Sequence, residues 1–134
     1  MAFKLLDGIL FNEDVVHETH HDIESFVWVL CYSICRRLLT SQSFTQVKKK
    51  AITSFFHNAF GRVDLSAVRN SRGVRAPLEI PRRFSEFLSP PMILLLKNLD
   101  EHIQHQHLTK TPIFVTHEMI LVELDNTISA LRNV

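Results

Sequence analysis

The sequence predicts an all-α fold, and three observations carry that expectation. A long apolar run stands at residues 26 to 35, apolar residues recur at helical spacing in three further stretches, and capping or breaking residues punctuate them. The length of 134 residues suits a single domain spanning 1–134, because one hydrophobic core forms at roughly 100 to 150 residues. A hydrophobic fraction of 46% with ten Phe is ample for such a core.

Residues 1–21 hold a short apolar opening, Phe3 to Phe11, then an acidic patch and a His-rich segment, which reads as a brief helical turn followed by loop. Asp22 stands as an N-cap for a central helix over about 23–40, with Glu24 in its first turn where the helix dipole favours negative charge. Ile23, Phe26 to Tyr32, Ile34 and Cys35 leave no polar face on that helix, and a helix apolar all round requires burial on every side. A second helix is expected over Thr45–Phe60, stopped by Gly61 at the position that favours a left-handed residue, with Lys48, Lys49 and Lys50 on a solvated face. Asn70, Ser71, Gly73, Pro77 and Pro81 predict loop over 62–81, broken by one helical turn near Asp64–Val68. Ser89 before Pro90 and Pro91 opens a third helix over about 91–107. Thr116 caps a last helix on which Ile120, Leu121, Leu124, Ile128 and Leu131 share a face.

A formal net charge of +1 gives no global field for nucleic acid or anionic lipid. Phe26 to Cys35 is far short of the roughly 20 residues that span a bilayer, so no membrane association is expected. Asp7, Gly8, Asn12, Glu13 and Asp14 interrupt the N-terminal apolar stretch before it can serve as a secretion signal. Cys31 and Cys35, four apart in an apolar run, stack on one helical face as buried reduced thiols, which suits an intracellular protein of cytoplasm or nucleus.

His17, Glu18 and His21 spell H-E-x-x-H, the pattern in which two His one turn apart hold zinc and the Glu serves as general base. That chemistry requires all five residues on one helix, whereas Asp22 marks a helix starting just after them, so a polar loop is the preferred reading and a zinc hydrolase the remote one. His102, His105 and His107 lack a Cys or carboxylate at clear ligand spacing and read as exposed His at a helix end. Arg69, Arg72 and Arg75, followed by Arg82 and Arg83, form a basic loop without interleaved aromatics, which reads as solvated. With three glycines, neither G-x-G-x-x-G nor a P-loop can be written, and no Ser or Cys lies in a G-x-S-x-G elbow; with the His clusters read as above, no catalytic, cofactor or metal site is expected.

The run His20 His21 Asp22 Ile23 Glu24 Ser25 Phe26 Val27 Trp28 Val29 Leu30 closely resembles the H-D-[IL]-E-S-F-x-[WY]-V-L signature of fungal-type protein kinases. Met1–Leu6 looks like that family's form of the A-P-E segment, and Thr116–Leu121 like its closing helix. The resemblance spans nearly the whole chain, with its specific part at residues 20–30. It implies the helical C-terminal-lobe part of a protein-kinase-like fold, after the activation segment, around a buried central helix. His21, Asp22, Glu24, Ser25, Phe26 and Trp28 would then be structural motif residues, with Asp22 where relatives use an Asp to hold the catalytic-loop backbone. Lys4 departs from the pattern, standing where the Glu of A-P-E belongs, which puts the ion pair of that Glu in doubt.

The Gly-rich loop, the strand Lys, H-R-D and D-F-G are not encoded in these residues, and phosphoryl transfer depends on them. The resemblance therefore implies a non-catalytic helical module, truncated or retained as a remnant, that acts through protein contacts. The alternative is a stretch of a longer, active, ATP-dependent Ser/Thr protein kinase with its catalytic residues upstream of Met1. In either case one side of Phe26–Cys35 is expected to lack its kinase-lobe cover and to be hidden by a second copy, a protein partner or the Phe3–Phe11 stretch.

Overall fold

The computed structural model describes residues 9, 18–41, 44–61, 75–108 and 110–133. Five α-helices succeed one another among them: α1 (Thr19–Thr40), α2 (Gln46–Phe60), α3 (Ala76–Phe84), α4 (Pro90–Gln106) and α5 (His117–Arg132), with a 3-10 turn at Ser85–Phe87. No strand occurs among the described residues. The all-α class is therefore as the sequence predicts. The Met1–Leu6 segment, the turn expected near Asp64–Val68, and Lys4, His17, Arg69 and Arg72 lie outside the described residues.

Apart from α3, each helix has a local cause, although not always the one read from sequence. The second helix begins as expected, with the Thr45 hydroxyl accepting the Lys48 amide at 3.4 Å. It ends at Gly61 as expected, although Gly61 is the C-cap with φ −89° and not a left-handed residue. Glycine is required there for close approach, since a Cβ would lie 2.7 Å from the His57 carbonyl oxygen, which the Gly61 amide already meets at 2.9 Å. Pro90 and Pro91 open α4 behind Ser89, as their fixed φ allows, but the Ser89 side chain makes no capping bond. Thr116 does cap α5, its hydroxyl accepting the Met119 amide at 3.3 Å.

Helix α3 is the largest departure, because residues 76–81 were expected to be loop. Pro77 is harmless in the first turn, where its missing N–H has no partner to lose. Pro81 sits deeper, and a proline inside a helix costs about 3 kcal/mol. Ala76, Pro77, Ile80, Pro81 and Phe84 are nevertheless all buried, a stripe at helical spacing. Covering Ile80 and Phe84 alone stabilises by about 3 to 6 kcal/mol, which offsets the proline.

The helices pack in a chain of neighbours, α2 on α1, α1 on α3, α3 on α4 and α4 on α5. Ile23, Val27, Trp28, Cys31, Cys35 and Leu38 of α1 enter one core with Ile52 and Phe55 of α2, Ile80 and Phe84 of α3, and Leu95, Leu96 and Leu99 of α4. Trp28 meets Phe60 edge-on at 6.0 Å, fixing α1 against the end of α2. The expectation of all-round burial for α1 is overturned: Phe26 is 46% exposed, Val29 61% and Tyr32 36%. Its main neighbours, α2 and α3, cover one stripe of this 22-residue helix, and among the described residues its opposite face is left uncovered. The last helix behaves similarly, with Ile120 buried but Leu121, Ile128 and Leu131 exposed.

Candidate functional site

The run His20–Leu30 occupies the first turns of α1, and the helix starts four residues earlier than the sequence suggested. Glu18 is its N-cap and Asp22 lies in the first turn instead of capping it. The cause is His21, whose Nδ1 accepts the Glu18 backbone amide at 3.0 Å while its own amide donates to the Glu18 carbonyl at 3.0 Å. That reciprocal pair satisfies end groups a helix otherwise leaves open. The expected polar loop is thus partly a helix start.

His20 is also drawn in. Its Nδ1 lies 3.2 Å from a Glu18 carboxylate oxygen, and its ring stacks on Phe114 at 4.3 Å. The connector before α5 is thereby held against the first turn of α1, with the Val115 amide donating to the Gln106 side chain at 3.0 Å. Ser25 donates its hydroxyl to the His21 carbonyl at 2.9 Å, Glu24 and Trp28 are buried, and Asp22 and Phe26 point outward. Asp22, Ile23 and Phe26 face His117, Ile120, Leu121 and Leu124 of α5 across an open apolar groove of about 390 Å3.

Of the H-E-x-x-H residues, Glu18 and His21 serve as a helix start: Glu18 caps, and His21 directs Nδ1 at the backbone. No group of three or more His, Cys, Asp or Glu side chains is placed to hold a metal ion among the described residues. His102 corrects a second expectation, being half-buried and bonded through Nε2 to Glu123 Oε1 of α5 at 3.1 Å. Asn98 donates to the other Glu123 oxygen at 2.9 Å, so one carboxylate clasps α4 to α5. His105 and His107 are exposed, as anticipated.

Sequence reasoning missed a two-armed ion pair between residues distant in sequence. Arg75, expected in a solvated basic loop, is the N-cap of α3 at φ 55°, ψ 58° and grips Asp100 of α4 with both arms of its guanidinium, Nε to Oδ1 at 3.3 Å and Nη2 to Oδ2. Asp100 is buried, and its hydrogen bond raises the Arg75 pKa further above its ordinary value. A signal for Asp100 did exist: it stands beside Leu95, Leu96, Leu99 and Ile103 on the buried stripe of α4, and a buried carboxylate demands a cation. Arg82 and Arg83 likewise pair with Glu79 on α3 instead of standing free.

Comparison with protein-family models, curated proteins and solved structures finds no match. No helix among the described residues is long and apolar enough to cross a membrane.

Proposed function

We propose that these residues form part of a protein-kinase-like C-terminal lobe of the fungal type, working as a helical scaffold and protein-contact unit and not as a phosphotransferase by themselves. The observation that carries the reading is the two-sided character of α1. Its signature residues lie on the first three turns, its buried stripe organises α2 and α3, and Phe26 and Val29 face outward. In a complete lobe of this class the corresponding helix is wrapped on all sides, so an apolar helix with one bare face fits a lobe portion that meets further protein. On this reading Asp22, exposed in the first turn of the same helix, would be the residue that members of the resembled family use to hold the catalytic-loop backbone.

The contact is tested by light scattering and hydrophobic-dye binding on the purified chain, beside a Phe26→Ser, Val29→Ser variant. The reading expects self-association or dye binding in the parent chain, and a folded monomer with weaker dye binding in the variant. A compact parent monomer that leaves the dye dark would overturn it. The catalytic side is tested by calorimetry, which is expected to detect no saturable, Mg²⁺-dependent ATP binding, because the groups that cradle phosphates are not among these residues. Micromolar ATP affinity would instead favour an active nucleotide-binding protein. A reading frame that extends upstream of Met1 with H-R-D and D-F-G would favour the second reading, a stretch of a longer active Ser/Thr kinase.

A further inference from the structure

We draw no further inference here: the strongest candidate, the apolar groove between the first turns of α1 and α5, is an unpartnered face, and nothing in the structure shows what covers it.

Discussion

Replacing Arg75 by Ala is the most informative single perturbation of this fold. The substitution removes both guanidinium bonds to Asp100 and leaves a carboxylate that is 3% exposed without its cation. Breaking a fully buried pair costs about 3 to 5 kcal/mol, but the Arg75 side chain is 44% exposed, so water reaches this pair and a loss of about 2 kcal/mol is expected. The backbone provides an internal control. Arg75 holds a left-handed conformation, the single positive φ among the described non-glycine residues, and such strain costs roughly 1 kcal/mol or more. Arg75→Gly loses the same ion pair but relieves that strain, so it should be less damaging than Arg75→Ala by about 1 kcal/mol. Asp100→Asn, combined with Arg75→Ala, should recover part of the loss, since an amide is cheaper to bury than an unpaired charge. Urea denaturation followed by circular dichroism measures all four proteins. The pair is refuted if Arg75→Ala unfolds at the parent midpoint, and the left-handed cap is refuted if the Gly variant is the weaker of the two.

Trp28→Ala empties an aromatic site of the core beside Phe60, and a loss of about 3 to 5 kcal/mol is expected in the same assay; an unchanged midpoint would mean the stripe of α1 is not the core. Burial pushes the Cys35 thiol up to about 12 from an ordinary value of 9.0, so the folded chain keeps the proton that the unfolded chain releases above pH 9. Stability should therefore be unaffected by this group below pH 9 and fall as pH rises toward 12, and melting curves of the parent should drop more steeply over that window than those of Cys35→Ala. Folded protein should also react slowly with iodoacetamide at pH 8. His102→Ala removes one of the side-chain bonds to Glu123 and should cost about 1 kcal/mol, less than Arg75→Ala, because Asn98 still holds the carboxylate.

The candidate site was legible only as a string of residues. The helical character of residues 23–40 could be read directly, yet the apolar pattern put the helix start at Asp22 and called for burial on both faces of the helix. The start at Glu18 was a local signal overlooked, a capping pair within one turn, whereas the bare face cannot be reached from local pattern. A run such as Phe26 to Tyr32 states that burial would be favourable all round, whereas the number of neighbouring elements decides how much of it occurs.

What the sequence determined by itself is the set of local signals that act within one helical turn. Thr45 and Thr116 cap because a hydroxyl reaches the amide three residues on, and Pro90 and Pro91 mark a start because their φ is already helical. Tertiary structure decided everything that required a distant partner. It made α3 a helix against its prolines, since Ile80 and Phe84 had a core to enter. It turned Arg75 from a loop cation into the counter-ion of Asp100, twenty-five residues away, and joined His102 to Glu123 across two helices. The physical reason is the same in each case: a turn is closed by atoms the chain itself brings together, while burial and charge pairing depend on surfaces that meet only after the helices have packed.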